Sequence, residues 1–208
     1  LALAMGFGIW VLGSVYLYWQ WFHYTRQSWG VSQVYRRKSG GMVSESERLT
    51  KAMFYLPPLW GILYRSWQAP EMFLGLEVRV IPVPGLLVDL VGIAAIAAVT
   101  LWTFFRIRAF LKGNGSVVHT LYIASHISVF VIGYVAIEDV THGWLVINIW
   151  HNAQYILFVW LYNTNSFRDG VDVKAPFLST ISQARNWCRY FAVCLGLTTL
   201  VYVGISAL

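Results

Sequence analysis

Crossing a bilayer as a helix takes roughly 20 consecutive apolar residues, and this 208-residue chain offers such a run about six times. The runs cover about 1–22, 52–67, 84–105, 117–137, 143–162 and 187–208. The second is short and contains Pro57-Pro58. Little chain is left over for a polar surface: 12% of the residues are charged and 58% hydrophobic, against about 25% charged in an ordinary soluble domain. The expected fold class is all-α, a polytopic integral membrane protein built as a bundle of about six transmembrane helices with short loops. One transmembrane domain is expected over residues 1–208. Leu1 falls inside an apolar run without a basic lead-in, so that run reads as a spanning helix and the chain as a fragment of a longer protein.

The basic residues orient the six runs. Arg26, Arg36, Arg37, Lys38, Arg48 and Lys51 fall in one connection. Arg106, Arg108 and Lys112 follow two connections on, and Arg168, Lys174, Arg185 and Arg189 two further on. Only Arg65 and Arg79 fall on the opposite side. Under the positive-inside rule the richer side is cytoplasmic, and a bacterial inner membrane is the expected location. Dropping the second run would spoil this asymmetry, so it counts as a span. The net charge of +6 is scattered rather than gathered on one face, which argues against nucleic acid. Membrane lipid and partner membrane subunits are the expected partners.

The connections carry local signals. Ser44-Glu45-Ser46-Glu47 fits a capping box ahead of the second span. Pro57-Pro58 frees carbonyls that neighbouring groups must satisfy. The stretch 70–84 is expected to be a short extended piece on the outer face. Asn114-Gly115-Ser116 matches a glycosylation sequon but falls on the cytoplasmic side, so no glycan is expected. Residues 163–186 read as a cytoplasmic cap. Cys188 and Cys194, six apart, read as buried small apolar residues. The tryptophans, among them Trp19, Trp21, Trp60, Trp67, Trp102, Trp144, Trp160 and Trp187, read mostly as interface anchors.

Histidines provide the candidate chemistry. His126 is nine residues past Val117, about 14 Å into the membrane, and His151 is eleven residues before Tyr162, about 17 Å in. The fourth and fifth runs are joined by the short turn 138–142, so the two histidines are expected at one depth near the midplane, facing each other. Helical spacing extends the set: His119, Tyr122 and His126 on one helix, Asn148, His151, Asn152 and Tyr155 on the next, with Gln154 at the edge. His23 ends the first run in similar polar company. Polar groups at membrane depth are costly and often functional, and neutral imidazole is a common metal ligand.

The expected function is a membrane oxidoreductase or oxygenase-like enzyme acting on a hydrophobic small-molecule substrate. Its cofactor would be a metal ion, iron above others, or haem, ligated by His126, His151, His119 and His23. Gln154, Asn152 and Tyr155 would orient the ligands or cofactor. Two alternatives stand beside it: a non-catalytic subunit of a larger pigment or respiratory membrane complex, and a small proton or cation transporter. A second polar group, Asp89 with Glu138, Asp139 and His142, could hold a cation or be a solvated turn beside a helix N-terminus. No HExxH, CxxC or nucleotide loop occurs.

Overall fold

The computed structural model describes residue 6 and residues 8–40 and 46–206. The described residues are all-α apart from one small hairpin. Its elements are α1 (Trp10–Lys38), α2 (Glu47–Gln68), β1 (Met72–Phe73), β2 (Leu76–Glu77), α3 (Gly85–Leu111), α4 (Val117–Val131), α5 (Val140–Ser166), α6 (Pro176–Ile181) and α7 (Trp187–Ser206). A π turn, Ile132–Ala136, continues α4. Contacts gather the chain into two compact units, Leu1–Asn148 and Ile149–Leu208, so α5 contributes its first part to one unit and its remainder to the other. Two helices, Gly85–Leu111 and Val117–Ala136, are long and apolar enough to cross a membrane.

In the first unit α2 is the central helix, packed against α1, α3, α4 and the π turn. Ser46 caps its start, its hydroxyl accepting from Leu49 N at 3.2 Å. The cap is thus two residues later than the Ser44 of the expected capping box; Ser44 and Glu45 lie outside the described residues. The helix stops at Ala69, in the left-handed region at φ 50°, immediately before Pro70, which cannot continue it. One apolar cluster joins Met53, Phe54, Ala98, Trp102 and Ile123. Another joins Leu17, Ile62, Phe73, Val78, Val140 and Trp144. Trp102 and Trp144 are therefore core residues rather than interface anchors, whereas Trp19, Trp67 and Trp187 are exposed.

Helix α1 runs far beyond the expected end near Phe22, to Lys38. Hydropathy falls after Phe22 because Thr25, Ser28 and Ser32 are polar, yet all three are fully buried and hold the helix against its neighbours. Arg26, assigned from sequence to a connection, lies inside this helix. Arg36, Arg37 and Lys38 form its last turn, where cations complement the helix dipole.

The stretch after Pro70 folds as an antiparallel hairpin, Met72 opposite Glu77 and Phe73 opposite Leu76. Leu74 and Gly75 form its two-residue loop with φ 53° and 76°, the doubly positive combination of a type I′ turn. The segment is fastened to α1, with Arg79 N donating to Ser14 Oγ at 2.8 Å and Ile81 N to Tyr18 OH at 2.7 Å. Ser116, the third residue of the sequon, serves as the N-cap of α4, accepting from His119 N at 3.4 Å.

In the second unit the segment after α5 is tied down by side-chain to backbone bonds. Gln183 Nε2 donates to Phe167 O at 3.0 Å and Ser179 Oγ to Ala175 O at 2.6 Å. Asn163 Nδ2 donates to Tyr190 OH at 3.1 Å, linking α5 to α7. Cys188 is exposed and Cys194 half-buried, contrary to the buried pair expected, because the first lies in the opening turn of α7 on its open side.

Candidate functional site

Proline chemistry sets up the first buried histidine. Pro58 has no N–H, so the Phe54 carbonyl four residues earlier loses its helical donor. His126, two turns into α4, reaches across and places Nε2 3.0 Å from Phe54 O. A carbonyl only accepts, so Nε2 carries the ring proton and donates. The imidazole is fully buried, with the Phe54 ring at 4.4 Å and the Phe130 ring at 4.7 Å. His126 thus turns Nε2 toward α2. It repairs the helix that Pro58 interrupts.

His119, also fully buried, is occupied on both ring nitrogens. Arg106 Nη2 lies 2.9 Å from Nδ1 and Ser32 Oγ 3.1 Å from Nε2. A guanidinium only donates, so Nδ1 accepts and the neutral ring donates from Nε2 to Ser32. This bridge joins α1, α3 and α4. Both ring nitrogens of His119, expected as a metal ligand, are engaged by protein groups here. His23 is exposed and stacks on Trp19, ring centroids 6.2 Å apart at 17°.

His151 and its neighbours fall in the second unit. His151 is buried at 6% exposure. Gln154 is half-buried, whereas Asn152 and Tyr155 are exposed, so the expected stripe does not present one common interior face. Asn148, at the end of the first unit, accepts a 2.7 Å hydrogen bond from Tyr24 OH.

Arg65, which the sequence marks only as a basic residue near the end of the second run on the poorer side, is a buried anchor. It is 1% exposed. Nη1 donates to Glu138 O at 2.5 Å and Gln68 Oε1 at 2.7 Å. Nη2 donates to Gly133 O at 3.2 Å and to Ile137 O. One guanidinium therefore satisfies the carbonyls left over where α4 widens into the π turn and ends. The only sequence signal was a cation at one helix end facing the carboxyl-terminal end of another apolar run.

The outer polar group behaves as a capped turn. Asp139 Oδ1 accepts from His142 N at 2.7 Å and lies 3.3 Å from His142 Nδ1, both side chains exposed. Asp89 is exposed on α3. A cleft of about 460 Å³ beside them is lined by Arg65, Gln68, Glu138 and Asp139 among others. Among the described residues, no three His, Cys, Asp or Glu side chains come together as a possible metal site. No protein family, curated protein or solved structure matches the chain.

Proposed function

We propose that the protein is a polytopic membrane protein of six spanning helices, its basic connections on the cytoplasmic side of a bacterial inner membrane, serving as a non-catalytic subunit of a larger membrane complex. Six helices support the spans. α1, α2, α3, α5 and α7 have 29, 22, 27, 27 and 20 residues, and α4 with its π turn has 20, enough for about 30 Å each. Along α1 the hairpin attaches at Ser14 and the basic turn ends at Lys38, a separation of about 36 Å. On α3, Leu86, Leu90, Ile93, Leu101 and Phe104 are exposed, a surface suited to lipid or a partner helix.

The observation that carries the subunit reading is the use of the two fully buried histidines. His126 answers a proline-freed carbonyl and His119 bridges three helices. Both perform the helix-gluing role that polar side chains take in membranes, which favours scaffold over redox centre. The test is purification in mild detergent, with metal analysis, a visible spectrum and the masses of co-purifying membrane polypeptides. The expected result is a stable set of partner polypeptides and no stoichiometric metal or haem dependent on His126 or His151. Stoichiometric iron or haem that disappears in His151→Ala would overturn it and restore the oxidoreductase acting on a hydrophobic substrate.

A further inference from the structure

We propose that the cleft between the end of α1 and the start of α4 binds the headgroup of one anionic phospholipid. The inference rests on the membrane reading above but not on the subunit role. The cleft measures about 610 Å³, the size of a small-molecule site. Tyr35, Lys38 and Ser39 line it from the last turn and cap of α1, and Ser116, Val117 and Val118 from the cap and first turn of α4. Ser39 Oγ lies 2.7 Å from Ser116 Oγ, tying the two helix ends together.

The lining has the two-part character of an amphiphile. Lys38 supplies an exposed cation, and the lining holds no carboxylate. Arg36 and Arg37 share its turn, and among the described residues none of the three cations forms an ion pair. Tyr35, one turn back along α1, supplies apolar surface together with Val117 and Val118. The two valines are 57% and 60% exposed, although they open a helix apolar enough to cross a membrane. In the proposed orientation both helix ends meet the cytoplasmic boundary, where a basic gap between helices faces the anionic headgroups of the inner leaflet. An anionic lipid covers both halves at once: its phosphate meets Lys38 and its acyl chains pass along the valines. A free phosphate would leave the valines bare, and a zwitterionic headgroup would bring its own cation toward Lys38.

The test uses the full chain in mild detergent, with lipid retention read by native mass spectrometry in phosphatidylglycerol or phosphatidylcholine. One phosphatidylglycerol should be retained in preference to phosphatidylcholine, and loss of one cation should weaken its retention about fivefold. Lys38→Gln should show that loss and Lys38→Arg should not. Lys112 is an exposed cation of the same side outside the cleft, so Lys112→Gln should leave retention unchanged. Equal retention of the two lipids, or equal losses in Lys38→Gln and Lys112→Gln, overturns the site. So does displacement of the lipid by millimolar inorganic phosphate, which would make the cleft a free-anion site. A chain that stays soluble without detergent and does not enter phosphatidylcholine vesicles refutes the membrane reading itself, and the lipid site falls with it.

Discussion

A buried imidazole on an apolar helix invites a metal, but its ring nitrogens also serve the protein's own hydrogen bonds. His126 illustrates why. Its Nε2 faces a carbonyl that exists as an acceptor only because Pro58 lacks an N–H. Replacing His126 with Leu leaves Phe54 O buried without that donor, at a cost of about 1–3 kcal/mol. Restoring the helical donor through Pro58→Ala should relieve much of that loss, so the two substitutions are non-additive. Denaturation of the four proteins in detergent measures the coupling. Additive effects would mean that Pro58 and His126 do not share the Phe54 carbonyl.

At the scale of elements, the α4–α5 hairpin depends on two glycines in backbone contact. A Cβ on Gly133 would sit 2.6 Å from Gly143 O, and Gly143 is hemmed in by the Gly133 carbonyl in return. Small residues let membrane helices approach this closely. Gly143→Val should therefore push the helices apart and destabilise by about 1–3 kcal/mol or more, visible as a lowered melting temperature. A variant as stable as the parent would show that the close approach is dispensable. Arg65 holds the same junction from the α2 side. Arg65→Met keeps the stem but strands the carbonyls of Gly133, Ile137 and Glu138, the buried Gly133 acceptor alone costing about 1–3 kcal/mol. Its expected signature is loss of folded protein, or a drop well beyond that of Arg79→Met, whose guanidinium is exposed and lies over Trp10 at 4.2 Å.

For the molecule as a whole the decisive measurement is sidedness. In a background with Cys188 and Cys194 replaced, Lys38→Cys should react with an impermeant thiol reagent only after cells are opened. Glu77→Cys, on the hairpin at the other end of α1, should react from outside. Reaction of both from one side would overturn the six-span orientation, whatever the histidines do.

Apolar runs near 20 residues were enough to locate the helices, because transfer to an apolar phase is a property of each residue summed along the chain. Pro57-Pro58 likewise announced freed carbonyls. The polar assignments could not be read in that way. His126 meets a carbonyl 72 positions away, His119 an arginine and a serine from two other helices, and Arg65 the end of α4. The continuation of α1 past Phe22 was hidden for the same reason, since Thr25, Ser28 and Ser32 are polar in composition yet buried. Hydropathy states the cost of burying a polar group. Only the packing of helices decides which distant group offsets that cost, and so whether a histidine holds the fold together or is left with a lone pair for chemistry.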